Sequence, residues 1–359
     1  MGSSQSQQAQ EVSGPVVLED KYYPTWIKDE ANMKDLTGKV ALITGVSTAS
    51  GLGFYITKGL ASKGAKCVIT VRTVAKGEAV KKELETALEA EGFKAPPIEV
   101  MRMDNCDFAS IRSFVEDFKS KFDRLDILCN NAGVMALPYE LTKDGYEVQI
   151  QTNHLSHFLM TSLLWPLIKK TAETHSEVAI TQVSSRASTL GTPSVDTKNL
   201  NNRHPPHGFY LYAAPYVLGG QTEMWARYGQ SKLSNYLFAM ELQRRADAAG
   251  LEGKIKSTVT HPGLAATNLQ IATQQQGGMN DGAGYQKRGH SCADGSLPML
   301  MALAHPTFSA PGEYYGPEEG MKGPPIKGAA QENPNAHKKE LAAALWDASE
   351  AACGEKFAL

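Results

Sequence analysis

Tyr228 and Lys232 stand four residues apart in the stretch Tyr-Gly-Gln-Ser-Lys. On a helix that spacing puts a phenol and an ammonium on one face, aimed into one site. A neighbouring ammonium favours the phenolate and predicts a tyrosine pKa below its usual value of about 10. A phenol tuned in this way exchanges a proton with a carbonyl or an alcohol near neutral pH. The same pair also occurs on solvated helix faces, so the chemistry requires a coenzyme site elsewhere in the chain.

Such a site is legible upstream. Residues 39–44 form an apolar run closed by Gly45 and read as a buried parallel strand. The turn Gly45-Val46-Ser47-Thr48-Ala49-Ser50-Gly51-Leu52-Gly53 follows, and then a helical pattern over 54–62. A strand, a glycine-rich turn and a helix start form an anion site, because backbone N–H groups face a pyrophosphate that the glycines let approach. The alternative is a turn that binds nothing, and the strand–turn–helix order argues against it. The second strand, 67–71, ends at Arg72, with Lys76 one helical turn on. An NAD site carries an acidic residue there for the ribose hydroxyl. A guanidinium instead matches a phosphate in bidentate fashion, so the pair predicts NADP(H) through its 2′-phosphate, against the alternative of a solvated basic face.

Stepping along the chain, 75–91 reads as a helix and 98–103 as a third strand, after which Asp104 or Asn105 could bond the adenine edge. Asp107 is placed to cap a helix over 107–122. A fourth strand, 125–129, ends in Asn130-Asn131-Ala132-Gly133, where small residues suit a sharp turn close to a ligand. Strand and helix alternate, which predicts an α/β fold with a doubly wound parallel sheet and ligands outside the carboxyl ends of its strands.

Composition sets outer bounds. The 359 residues suit one large α/β domain or two small ones, and 42% hydrophobic content with a net charge of −2 gives no basic field for nucleic acid or anionic membrane. Cys67, Cys106, Cys129, Cys292 and Cys353 form no CxxC pair and read as reduced thiols of an intracellular, cytoplasmic protein, with no metal site. The most apolar run, 155–168, is too short to span a bilayer and reads as a buried helix. Residues 1–36 read as a disordered or irregular tail without a secretory signal. Its first six residues fit the N-myristoylation pattern at Gly2, with an unstructured tail as the alternative. No polybasic run follows, so a single acyl chain would give only marginal, peripheral membrane contact.

Taken together, the glycine turn, Asn-Asn-Ala-Gly, a serine after the fifth strand (177–184) and Tyr-x-x-x-Lys occur in an order that resembles the short-chain dehydrogenase/reductase family over residues 37–320. Thr142-Lys143-Asp144-Gly145-Tyr146-Glu147, Thr152-Asn153-His154-Leu155-Ser156-His157-Phe158, Ser231-Lys232-Leu233-Ser234-Asn235 and Gly312-Glu313-Tyr314-Tyr315-Gly316 are similar to its retinol-dehydrogenase-like and protochlorophyllide-reductase-like branch. The family usually has three residues between its first two turn glycines; this chain has five, Val46 to Ser50.

The resemblance implies a Rossmann-type single domain and a set of roles. Tyr228 exchanges the proton. Lys232 lowers its pKa and holds the nicotinamide ribose. Ser185 orients the substrate oxygen, with Ser184 as the register alternative. Asn153, inside a helix over 141–172, distorts that helix and holds a water that resupplies the proton. His154 and His157 are packing or polar residues. Pro262, Gly263 and Thr267 follow the sixth strand (256–260) against the nicotinamide. Homo-oligomers form through the two long helices.

Between Ser185 and Tyr228 lies a long insert, centred on 190–225 and rich in aromatic, Pro and Gly residues. It reads as a lid or wall for a bulky apolar substrate, or as a surface excursion. Residues 225–249 read as a long helix, 270–290 as a mobile loop, 292–304 as a helix and 312–316 as a last strand. A linker over 320–334 and a helix over 336–353 complete the segment 321–359. Three functions remain open on the sequence: carbonyl/alcohol hydride transfer, reduction of a conjugated C=C, and a non-catalytic NADP(H) sensor.

Overall fold

The structure is a computed structural model that describes residues 15–175, 177–189, 192–208, 221–307 and 313–359. Seven parallel strands carry the fold: β1 (Val40–Ile43), β2 (Lys66–Val71), β3 (Glu99–Arg102), β4 (Ile127–Asn130), β5 (Val178–Val183), β6 (Ile255–Thr260) and β7 (Tyr314–Pro317). The sheet order is β3-β2-β1-β4-β5-β6-β7-β8, and β8 (Pro325–Lys327) runs antiparallel to β7. The order reverses beside β1, which opens a crevice at the carboxyl ends of β1 and β4.

Strands β1, β4, β5 and β6 are buried along their whole length, as central strands are when helices cover both faces; β1 is wholly apolar, while β6 buries Lys256, Ser257, Thr258 and Thr260 as well. Alternation along β1 divides the core. Ala41 and Ile43 pack with α2 (Leu52–Ser62), α3 (Val74–Ala90) and α10 (Cys292–Ala304). Val40 and Leu42 pack with α4 (Phe108–Lys121), α6 (Ser156–Thr174), α7 (Thr222–Ala246) and α11 (Lys339–Cys353). Asp107 caps α4 as its spacing predicts, accepting from the N–H groups of Ala109 and Ser110.

Several boundaries differ from the sequence expectation. The helix expected over 141–172 begins at α5 (Val148–Ile150), because Leu141 bridges Glu147 across a turn with Gly145 at φ 82°. It then widens into a π turn, Gln151–Leu155, before α6. The long helix α7 starts three residues earlier than expected, at Thr222, and ends at Ala246. The 270–290 stretch is not patternless: it holds α8 (Asn268–Gln275), capped by Thr267, and α9 (Gly282–Gln286), capped by Asp281. The presumed linker contains β8.

The N-terminal segment is irregular over its described residues apart from α1 (Tyr23–Trp26), yet it is packed. Tyr23, Ile27, Met33 and Leu36 are buried in the core, and the Asp294 carboxylate accepts from the backbone N–H groups of Lys21, Tyr22 and Tyr23. Gly2 lies outside the described residues, as does 209–220 of the insert. Among the described residues no helix is long and apolar enough to cross a membrane.

Helix α11 covers α6 and α7. Trp346 packs edge-on to Phe158 and against Phe238, and Phe357 packs on Phe158, Trp165 and Trp346. These aromatic residues of the two long helices are therefore closed off from a second copy by the chain's own end. Trp346→Ala removes a buried indole and is expected to cost about 3–5 kcal/mol of stability, read as a lowered urea midpoint. A change below about 1 kcal/mol would show that α11 is not part of the core.

Candidate active site

The glycine turn after β1 places Gly45 at φ 73°, where an added Cβ would lie 2.7 Å from that of Ala132. The turn following β4 is thereby drawn against the turn following β1. Thr44 holds the pair: its Oγ1 accepts from the N–H groups of Asn131 and Ala132, both at 2.9 Å. The Asn131 amide donates to the Thr44 carbonyl at 2.8 Å, so this side chain fastens the turn. Helix α2 opens at Leu52 with Gly51 as its N-cap, which offers no side-chain bond to the first N–H groups. An uncapped helix start facing a crevice fits an anionic pyrophosphate. Ser47 is exposed in the turn, and Gly53 packs against Val46 and the Asn131 amide.

Arg72 follows the end of β2 and Lys76 lies in the first turn of α3; both are exposed, and neither has an ion-pair partner among the described residues. That free positive charge fits a phosphate at the strand end. Asp104 and Asn105 are less free than the sequence implied. Asp104 accepts from the Cys106 N–H, and the Asn105 amide donates to Ser156 at 2.8 Å. Thr267 is engaged as the cap of α8 and donates to Gln270, while still lining the cavity described below.

The catalytic candidates converge. Lys232 Nζ donates to the Val183 carbonyl at 3.0 Å, and Ser184 Oγ donates to the Lys232 carbonyl at 2.7 Å. The two bonds fasten α7 to the end of β5. Ser184 is thus a structural tie, whereas Ser185 hydrogen-bonds Tyr228 and accepts from the Ala187 N–H at 3.1 Å. Asn153 lies in the π turn. Its amide donates to Ser231 (2.8 Å) and to the Val134 carbonyl (2.9 Å), and its oxygen accepts from the Val134 N–H (2.8 Å). Its side chain is fully engaged in positioning. An added Cβ on Gly133 would lie 3.1 Å from the Asn153 oxygen and 3.2 Å from Lys232 Nζ, a tight approach that would press on both side chains.

Tyr228, Ser185, Lys232, Asn131, Gly133, Pro262 and Gly263 line one cavity of about 540 Å³. Its other walls include Met135, Ala187, Trp225, Leu269 and Met279, which the sequence did not single out as a group. Trp225 carried the one signal available, since it precedes Tyr228 by a helical turn. Of the described residues between Ser185 and Tyr228, Arg186, Ala187, Thr189, Thr192 and Trp225 reach the cavity; the part of the expected aromatic lid over 209–220 lies outside the described residues.

The electrostatics overturn one expectation. Burial pushes the Tyr228 phenol up to about 12, opposed only in part by the Ser185 hydrogen bond. Burial also pulls the Lys232 ammonium down to about 8. Desolvation of both groups outweighs their mutual effect, and Lys232 directs its charge at a carbonyl, 5.8 Å from the Tyr228 ring centre. Burial therefore favours the protonated phenol of Tyr228.

The two histidines of the helix are indeed polar packing residues. His157 carries its proton on Nδ1, facing the Asn153 carbonyl, and offers Nε2 to the Thr44 hydroxyl at 3.0 Å. His154 donates from Nε2 to Ser349, whose own hydroxyl proton goes to the Leu345 carbonyl. Burial holds His154, His157 and His261 at about 3, 4 and 3. The unfolded chain binds these protons near pH 6.5, and the folded chain does not until far lower. Stability is therefore expected to fall as pH drops from about 6.5 toward 4, in urea melts at stepped pH, and His154→Phe should flatten that slope. A flat profile in the parent chain would contradict the buried neutral rings.

A family model described as short chain dehydrogenase matches residues 39–197. The chain is 32% identical to the short-chain dehydrogenase/reductase drtF of Aspergillus calidoustus, over 88% of this chain and 93% of that protein. It is 39% identical to an uncharacterised oxidoreductase of Schizosaccharomyces pombe and 36% identical to human retinol dehydrogenase 11. Those two matches span 65% and 63% of the relatives' own length, and 68% and 65% of this chain. An uncharacterised Mycobacterium paratuberculosis structure superposes with a TM-score of 0.67 at 30% identity, over 92% of this chain and 98% of that one. An L-sorbose reductase of Gluconobacter frateurii, solved with NADPH and L-sorbose, shares the fold at a TM-score of 0.55 and 21% identity, over 80% of this chain and 98% of that one.

Proposed function

The chain belongs to the short-chain dehydrogenase/reductase family, in its retinol-dehydrogenase-like branch, and we propose that it uses NADP(H) to reduce a carbonyl of a bulky, largely apolar substrate, or to oxidise the corresponding alcohol. One observation carries the reading. Tyr228, Ser185 and Lys232 meet at one wall of a cavity of about 540 Å³ whose remaining walls include Met135, Trp225, Leu269 and Met279. The part of that cavity beside Gly133, Pro262 and Gly263 is assigned to the nicotinamide, and the part walled by Met135, Trp225, Leu269 and Met279 suits an apolar substrate with one polar end.

When bound, the nicotinamide supplies the hydride. The chain supplies position and the proton. Gly45, Ser47, Gly51, Leu52 and Gly53 are assigned to the pyrophosphate, and Arg72 with Lys76 to the 2′-phosphate. Ala132, Gly133, Pro262 and Gly263 are assigned to the nicotinamide side. Ser185 orients the substrate oxygen by hydrogen bonding. Tyr228 donates its phenolic proton to that oxygen as the carbon is reduced, and the nearby Lys232 ammonium favours the phenolate left behind. Oxidation runs the same steps backwards, with Tyr228 as base. The assignment takes the chain as an intracellular protein in a reducing compartment, which its five free thiols support.

Tyr228→Phe is expected to lower turnover by about 10²–10⁴-fold while NADPH binding persists. Near-normal turnover would remove Tyr228 as the acid. Arg72→Ala is expected to raise KM for NADPH by about 10- to 100-fold and leave KM for NADH unchanged; equal effects on both coenzymes would refute the phosphate role. For carbonyl reduction, kcat/KM should hold to about pH 8 and decline above it as the Lys232 ammonium loses its proton. A rise through that range would oppose the assigned charge state. Product analysis over retinoid, steroid and quinone carbonyls separates an alcohol product from a saturated C=C bond, the outcome that would favour the alkene-reductase reading.

A further inference from the structure

The five residues between Gly45 and Gly51 make a long turn, and the structure shows where the extra length goes. Val46 is buried and packs back on Gly53. Beyond it the turn reaches outward. Thr48 Oγ1 and Ser50 Oγ lie 3.0 Å apart, and the Ser50 N–H donates to Thr48 Oγ1 at 3.3 Å. Both hydroxyl oxygens then accept from one side-chain amide: Asn268 Nδ2 reaches Ser50 at 2.9 Å and Thr48 at 3.3 Å. Asn268 is the first residue of α8, more than two hundred positions away in the chain. Beneath this bridge the Cys292 thiol sits 3.1 Å from the Ser50 carbonyl and 3.0 Å from that of Ala266, within hydrogen-bonding reach of both sides.

The bridge spans the crevice at a particular place. Leu52 follows it on one side and Thr267 precedes it on the other, and both line the cavity that holds Tyr228. On the catalytic side, α8 and the loop after it are tied down by buried bonds. Thr273 donates to the Met135 carbonyl at 2.7 Å, and the Trp225 indole donates to the Gly278 carbonyl at 2.8 Å. The bonds of Asn268 are exposed. The residues just before Asn268 are also held by buried bonds, from Gln286 to the Thr267 carbonyl at 2.6 Å and from Gln270 to the Ala265 carbonyl at 3.0 Å. Water competes for exposed bonds and not for buried ones, so the Asn268 bridge to the glycine turn is the contact that yields first.

We propose that Thr48, Ser50 and Asn268 form a latch that closes the glycine turn onto α8, retains the coenzyme beneath it, and makes coenzyme exchange depend on movement of α8. The lengthened turn is then a functional part, since Thr48 and Ser50, which meet Asn268, both lie within its five residues. The proposal rests on the coenzyme assignment made above for the same crevice.

The test uses the full chain with Asn268→Ala and, separately, Ser50→Ala, both at positions where no core packing is lost. Dissociation of NADPH is followed by its fluorescence on rapid dilution against excess NADP+. The latch predicts dissociation about tenfold faster in Asn268→Ala, with a smaller increase in Ser50→Ala, and an association rate that also rises, because the bridge is closed in the coenzyme-free chain. Hydrogen exchange on the coenzyme-free chain gives an independent reading. Amides of 48–52 and 268–275 should exchange faster in Asn268→Ala, while those of 222–246 should not. If the parent chain binds NADPH and both variants release it at the parental rate, the latch is overturned and the coenzyme assignment stands. If the parent chain binds neither nicotinamide coenzyme, both fall, and unchanged exchange in 268–275 would show that the bridge itself does not hold α8.

Discussion

The site depends on a reciprocal pair of hydrogen bonds between the end of β5 and the middle of α7. Lys232 gives its charged N–H to the Val183 carbonyl, and Ser184 gives its hydroxyl to the Lys232 carbonyl. Asn235, three residues further along α7, donates to the same Val183 oxygen at 3.0 Å. A charged donor and two neutral bonds in a water-free location hold more firmly than their exposed equivalents would. With α7 fixed in this way, Tyr228 can meet Ser185 at the strand end, and Trp225 can reach over the cavity. Loss of this tie would displace the acid, its orienting serine and the cavity wall together.

A second consequence concerns charge. A Tyr–Lys pair at helical spacing shows that the two groups share a face, but it does not show how much water remains around them. The fold removes nearly all of it, and desolvation then acts on the groups in opposite senses, raising the phenol and lowering the amine. The arrangement is a proton donor backed by a cation, with the charge developing on the phenol only as its proton leaves. The lysine therefore acts on the product of proton transfer more than on the resting phenol. Neutral His157 is consistent with this economy of charge, because it links the π turn to Thr44 without adding a second cation near Lys232.

Much of this was legible in the sequence where the signal is local. The glycine turn, the Asn-Asn-Ala-Gly turn and the positions of Asn153, Ser185, Tyr228 and Lys232 follow from short motifs whose geometry is set by neighbouring residues. What escaped depends on partners far apart in the chain. Asn268 gives no sign that it meets Thr48, and Ser349 none that it meets His154. Strand β8 has only three residues among prolines and glycines, so no alternation could announce it. Tyr23, Ile27, Met33 and Leu36 follow neither helical nor strand periodicity, because the segment that carries them runs irregularly across α10. Asp104 and Asn105 are at a strand end, as supposed, and the neighbouring turn and Ser156 each engage one of their polar atoms, contacts that no local pattern announces.

The central claim is that burial, and not the neighbouring amine, sets the resting state of Tyr228. It is tested most directly by a carbon-13 NMR titration of the tyrosine Cζ atoms in the coenzyme-free chain, with Tyr228→Phe identifying the signal. The account predicts that this carbon keeps its phenol shift from pH 6 through about pH 10, later than the exposed tyrosines. A Tyr228 signal that moves to the phenolate position near pH 7 would contradict it.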